Sequence, residues 1–218
     1  MRRSGKRFNI LKRFLKVRIC SWKEYFPCQK GKSLFPAVIV CHPHSQMGGS
    51  MHNNVVDSIC EALLARKLAA FKFNFRGVGG SQGGFGNGQG EQADAHSAIE
   101  YIAGLMEIDK KRLGLAGYSA GAAWGIGGTC CEDAVKAVVA VSPPLSIFDF
   151  SFLKECAKPK LVITGDQDRF VEMQAFQRFC FQLVSPIESM VIQGADHFWS
   201  GYEITMANKV ADFFASCL

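Results

Sequence analysis

Six apolar runs of strand length alternate with longer segments of helical period, and this alternation narrows the folds open to the chain more than any other feature. The runs are Ala37–Cys41, Ala69–Phe75, Arg112–Ala116, Val135–Val141, Lys160–Thr164 and Glu188–Ile192. Several, such as AVIVC, are apolar without interruption, which reads as a strand covered on both faces. Between them the spacing predicts helices over Asn53–Arg66, Glu91–Leu105, Ala120–Cys130, Glu172–Val184 and Glu203–Cys217. Val55, Val56, Ile59, Ala62 and Leu63 form the apolar side of the first. Buried strands separated by helices imply an α/β fold with a mostly parallel central sheet and helices on both faces.

The chain has 218 residues, 48% hydrophobic and 20% charged, which suits one globular core. The net charge of +6 is uneven. Residues 1–18 hold eight of the 25 bases and no acid, which leaves 17 bases against 19 acids, or −2, for the rest. A basic lead-in over residues 1–20 followed by one domain over 21–218 is therefore expected. Phe8, Leu11, Phe14 and Leu15 fall at helical spacing within the lead-in. Contact with an anionic membrane is its minor reading, a solvated segment its plainer one, and no nucleic-acid binding is expected. No secretory signal or spanning stretch is present, and the odd count of nine cysteines, none in a C-x-x-C pair, reads as reduced thiols. These features point to the cytoplasm.

Gly117-Tyr118-Ser119-Ala120-Gly121 fits G-x-S-x-G, with a strand before it and a helix of small residues after it. A nucleophile on a tight strand-to-helix turn leaves no room for side chains two residues to either side, so glycines are required there. The helix start aims N–H groups at the reacting centre. A serine hydroxyl needs a base. His197, in GADHFW directly after the last strand, lies where the sites of such sheets gather. A carboxylate must orient that base. Asp168 in GDQDRFV is preferred, Asp166 comes second and Asp149 a distant third.

Negative charge that develops on a substrate oxygen needs fixed donors. The Ala120 N–H is one candidate. The second comes from His42-Pro43-His44-Ser45-Gln46-Met47-Gly48-Gly49, with the His44 N–H preferred over those of Ser45 and Gln46. His42 and His44 also form an H-x-H pair of the kind used by barrel metallohydrolases, but the chain is shorter than the roughly 250 residues of such a barrel. No metal or organic cofactor is expected. Gly31-Lys32-Ser33 resembles the end of a phosphate loop, yet Phe26 stands where its first glycine is required. The glycine-rich loop Gly77–Gly90 holds no dinucleotide fingerprint; Asn74, Arg76, Ser81 and Glu91 are expected to shape it.

With these motifs in view, the chain resembles small bacterial α/β-hydrolases related to dienelactone hydrolases and serine aminopeptidase-like esterases. The matching stretches are FPAVIVCHPHSQMGGSMHNNVV, FNFRGVGGSQGGFGNGQGE, LGLAGYSAGA, LVITGDQDRFV and GADHFW. The resemblance implies an α/β-hydrolase fold with Ser119, Asp168 and His197 as catalytic residues, in the chain order of that fold. Such hydrolases usually carry two further N-terminal strands, which only Lys16–Pro27 could supply here. Pro143–Pro159 leaves no room for a sizeable lid domain. The expected activity is cleavage of small carboxylic esters through an acyl-enzyme on Ser119. Peptidase, thioesterase or acyltransferase chemistry on the same residues is the near alternative, and a non-catalytic binding protein the remote one. A small-molecule ester is the expected partner; oligomeric state is not legible.

Overall fold

The computed structural model describes residues 17–19 and 34–218. The basic lead-in up to residue 16, Cys20, Cys28 and Gly31-Lys32-Ser33 lie outside the described residues. The strands are β1 (Val17–Ile19), β2 (Phe35–Cys41), β3 (Ala69–Phe73), β4 (Ile108–Tyr118), β5 (Val135–Val141), β6 (Lys160–Gly165) and β7 (Ile187–Ile192). They form one sheet in the order β1-β3-β2-β4-β5-β6-β7. From β3 to β7 every pairing is parallel, and β1 runs antiparallel along the β3 edge. The sheet is therefore mostly parallel, as the uninterrupted apolar runs require.

The helices are α1 (Asn54–Ala65), α2 (Gln89–Ala103), α3 (Phe152–Glu155), α4 (Met173–Phe181) and α5 (Glu203–Cys217). A short π-type helix, Ala122–Ile126, follows Ser119. Side chains alternate along each strand and feed two cores. Val38 and Val40 of β2 join α1 and α5 on one face. Ala37, Ile39 and Cys41 join α2, the π-type helix, α3 and α4 on the other. Burying each such valine or isoleucine contributes roughly 1.5–3 kcal/mol. Asn53 starts α1 by accepting the Val55 N–H on its side chain, and Val55, Val56, Ile59 and Leu63 then turn inward.

Element boundaries moved where side chains captured backbone groups. The run Ala69–Phe75 stops pairing at Phe73, because the Phe75 N–H donates instead to His42 Nε2 at 3.0 Å. Helix α2 starts at Gln89, two residues early, because the Glu91 carboxylate accepts the Gly86 and Gly88 N–H groups just ahead of it. The helix predicted over Ala120–Cys130 runs over 120–127, with a π-type centre at Ala122–Ile126, and α3 had no periodic signal at four residues. Strand β7 is the sheet edge and only half-buried. The Pro143–Pro159 segment forms no lid; Pro144, Ile147 and Phe148 instead wall a cleft beside Ser119.

The switch in strand order lies between β2 and β4. The chain leaves β2 toward β3 on one side and leaves β4 toward β5 on the other, which opens a crevice at their C-terminal ends. The crevice wall is held by His42. Its Nδ1–H donates to the Pro43 carbonyl at 2.7 Å, so the ring is neutral, with Nε2 free to accept from Phe75. Burial lowers its pKa to about 4 from the ordinary 6.5.

Two outcomes follow from these contacts. A Cβ on Gly165 would sit 2.0 Å from the Ala195 carbonyl oxygen, a backbone atom that cannot swing aside. Gly165→Ala is expected to cost at least about 2 kcal/mol, read as a lowered urea midpoint. The lowered His42 value also sets a pH window. Between pH 6.5 and about 4 the unfolded chain takes up a proton that the folded chain refuses. Stability should therefore fall as pH drops through that window, by on the order of 3 kcal/mol, and level off below it. Urea titrations at stepped pH check this, and His42→Gln should remove that part of the slope.

Candidate active site

Ser119 sits at the turn between β4 and the π-type helix with φ of 55°, a left-handed backbone that a non-glycine residue adopts only under constraint. Its N–H donates to the Val141 carbonyl at 2.9 Å, and its carbonyl accepts the Ala122 N–H at 3.0 Å. The flanking glycines are sterically required. A Cβ on Gly117 would lie 2.4 Å from Ala122 Cα, and one on Gly121 would lie 2.3 Å from the His42 carbonyl oxygen. Gly121 thereby seats the turn directly on the end of β2.

His197 comes from the loop between β7 and α5. Its Nε2 lies 3.1 Å from Ser119 Oγ, and its Nδ1 lies 2.9 and 2.8 Å from the two Asp168 oxygens. Ser119, Asp168 and His197 are all buried. The three residues thus meet in one hydroxyl–imidazole–carboxylate chain. Such a chain can carry a proton away from the hydroxyl while the carboxylate steadies the imidazolium. Asp166 is not part of it; its carboxylate accepts the Gly194 N–H at 2.7 Å and ties down the loop that leads to His197. Asp149 is also elsewhere, bonded to Ser151.

The Asp168 carboxylate also accepts the Phe170 N–H at 2.9 Å and the Thr164 hydroxyl at 3.3 Å. Burial acts on it most strongly and pushes its pKa up. The hydrogen bond and charge of His197, with bonds from Phe170 and Ser142, outweigh burial and hold the carboxyl below its ordinary value. The Tyr118 hydroxyl, which the motif left as a variable position, donates to the His197 carbonyl at 2.8 Å. Burial first, then Asp168 and Asp196, push that phenol up, so it stays protonated as a donor.

The loop after β2 turns back over the site. The His44 ring accepts the Gln46 N–H on Nδ1 at 3.2 Å, and the His44 carbonyl accepts the Met47 and Gly49 N–H groups at 3.0 Å each. The Gln46 amide is thus already committed. The His44 ring packs against Phe85, Trp124 and Phe148. Ala120 opens the helix after Ser119, where leading N–H groups have no partner inside the helix. The glycine-rich loop behaves as its polar residues suggested. Arg76 grips Asp94 through Nε and Nη2, Ser81 donates to the Asn74 carbonyl, and Asn74 accepts the Met51 N–H. The loop so fixed presents Phe85 to His44.

Among the described residues no cluster of three or more histidine, cysteine or acidic side chains is arranged to hold a metal ion. His42 and His44 make the separate contacts given above. The cleft over Ser119 has a volume of about 270 Å³. Besides Ser119 and His197 it is lined by Tyr118, Phe148, Phe170 and Phe198, with Met47 and Ile147 toward solvent.

The sequence profile of the X-Pro dipeptidyl-peptidase (S15) family matches residues 21–180. An α/β serine hydrolase homologue from Coxiella burnetii superposes with a TM-score of 0.76 at 35% identity, over 84% of this chain and 86% of that one. A serine hydrolase without a lid from Xanthomonas campestris gives 0.75 at 30% identity, over 90% and 85%. A dienelactone hydrolase from Anabaena variabilis shares the fold alone, with a TM-score of 0.68 at 17% identity over 85% and 88%. The profile covers most of the chain and the neighbours at 30% and 35% identity are α/β serine hydrolases, so the chain belongs to the X-Pro dipeptidyl-peptidase (S15) family of α/β serine hydrolases.

Proposed function

We propose that this protein hydrolyses small carboxylic esters through an acyl-enzyme on Ser119. The observation that carries the reading is the 3.1 Å separation of Ser119 Oγ and His197 Nε2, with Asp168 behind the imidazole, at the floor of an apolar cleft. His197 takes the hydroxyl proton on Nε2 as Ser119 attacks the carbonyl. The imidazolium keeps its Nδ1–H on Asp168. The N–H groups of Ala120 and His44 receive the developing oxyanion. Collapse expels the alcohol, which leaves with the proton from His197. Water then attacks the acyl-enzyme with His197 as base, and Ser119 is regenerated.

The family name favours a second reading, release of dipeptides from a peptide N-terminus. That reaction must hold a free α-ammonium, which calls for a carboxylate near the serine. No Asp or Glu lines the cleft among the described residues, and Asp168 is taken up by His197. A neutral, apolar acyl group fits this lining better than a charged peptide end. The absence of a lid suits small substrates reached from solvent.

Three outcomes test the proposal. A fluorophosphonate probe should label the wild type and leave Ser119→Ala unlabelled, with kcat on p-nitrophenyl acetate reduced about 10⁶-fold in the variant. Asp168→Asn should lower kcat by about 10⁴-fold while the probe site stays folded. A panel of p-nitrophenyl esters run beside alanyl-prolyl-p-nitroanilide should favour short acyl esters; preference for the anilide would make the peptidase reading the better one.

A further inference from the structure

Two buried side chains stand behind Asp168. Ser142 ends β5, is fully buried and has φ of 47°. Its N–H donates to the Ile163 carbonyl at 2.7 Å. Its Oγ accepts the indole N–H of Trp199 at 3.1 Å. Trp199 is also fully buried and has φ of 61°. Glycine would take either backbone angle freely, yet a side chain with a polar hydrogen occupies each position.

Hydrogen-bond accounting gives these groups a direction. An indole N–H only donates, so the Ser142 oxygen must accept from it. The one Ser142 proton is then left to give. Ser142 follows Val141, which pairs with Ile163, and so lies beside Thr164, whose hydroxyl donates to Asp168; the Asp168 carboxylate is therefore the acceptor assigned to Ser142. Asp168 thereby takes donors from His197, Phe170, Thr164 and Ser142, which matches the four lone-pair sites of a carboxylate. Trp199 lies two residues beyond His197. The bonds therefore close a ring: His197 to Asp168, Asp168 to Ser142, Ser142 to Trp199, and back along the chain to His197. The other titratable groups bearing on this site are Tyr118, whose hydroxyl holds the His197 carbonyl, and Asp196.

We propose that Ser142 and Trp199 are positioning residues that lock the Asp168 carboxylate in the orientation His197 requires. The proposal rests on the serine-hydrolase reading above and adds Ser142, which no motif contains, and Trp199, which closes the GADHFW stretch. Trp199 fixes the rotamer of Ser142, and Ser142 fixes the carboxylate. The same ring ties the loop that bears His197 to the end of β5, so base and carboxylate hold one relative position through turnover.

The test compares wild type with Ser142→Ala, Ser142→Gly, Trp199→Phe and the Ser142→Ala/Trp199→Phe double variant. Ser142→Gly removes the hydroxyl in a residue that accepts φ of 47° without strain, so it keeps the test open if the alanine variant does not fold. Each is assayed on p-nitrophenyl acetate across pH, with fluorophosphonate labelling rates and thermal midpoints. Loss of a hydrogen bond to an ionised group should lower kcat by about 10- to 100-fold in both Ser142 variants, with KM within about two-fold of wild type. The carboxylate, less well satisfied, should hold the imidazolium proton more tightly, which moves the acid limb of kcat/KM to higher pH. Trp199→Phe should act in the same direction but less, and the double variant should be no worse than Ser142→Ala, because both act through one bond. Folded Ser142 variants with wild-type kcat and an unmoved acid limb would overturn the proposal, as would a lowered thermal midpoint with no change in that limb. A folded wild type that takes no label sinks the serine-hydrolase reading and this proposal with it.

Discussion

The arrangement depends on two backbones that nearly touch at the C-terminal edge of the sheet. Cys41 of β2 pairs in register with Gly117 of β4, and Gly121 then rests on the His42 carbonyl. Only hydrogen fits in that gap. The turn around Ser119 is consequently pressed between the ends of β2, β4 and β5, whose Val141 carbonyl takes the Ser119 N–H. A residue so held keeps its left-handed backbone and has little freedom beyond its hydroxyl torsion. His197 and Asp168 arrive on loops from strands farther along the sheet, and they converge on a hydroxyl already fixed in place.

The buried acids follow one rule. Glu91 accepts two glycine N–H groups, Asp94 is gripped by Arg76, and Asp168 is satisfied by backbone, hydroxyl and imidazole donors. A buried carboxylate costs several kcal/mol unless it is hydrogen-bonded, and here each accepts at least two hydrogen bonds. The first two build the glycine-rich loop and so carry Phe85 to His44; the third serves the site. The cleft itself carries no such charge among its lining residues. Polar work is done in the walls, and the surface offered to a ligand is aromatic and aliphatic.

Membership of the S15 family and likeness to lidless serine hydrolases define the chemistry that the fold supports, not the leaving group. The cleft is shaped by the HPHSQMGG turn, the segment after β5 with Ile147 and Phe148, and the Phe170 and Phe198 positions beside His197. Phe170 lies 4.6 Å from the His197 ring centroid, so the same residue shapes both the cleft and the surroundings of the imidazole.

The sheet was legible because strands buried on both faces must be apolar throughout, and helices that cover them must be apolar on one side; both patterns are local. The elbow was legible because its glycines answer a steric demand within five residues. The choice of Asp168 over Asp166 was less secure in the sequence, since both follow β6 by a few residues and only the path of the loop decides which reaches His197. Ser142 lay outside every motif, and Tyr118 and Trp199 lay within GYSAG and GADHFW at positions to which neither motif gives a role. Their roles come from contacts 57 to 79 residues away in the chain, and no periodicity records such contacts. By itself the sequence determined the layers, the order of elements and the turn that bears Ser119, because these follow from short-range sterics and burial. Tertiary structure alone decided which carboxylate meets the imidazole, which amides on the β2 loop remain uncommitted and which buried hydroxyl stands behind the site, because hydrogen bonds between distant loops form only once the sheet has brought them together.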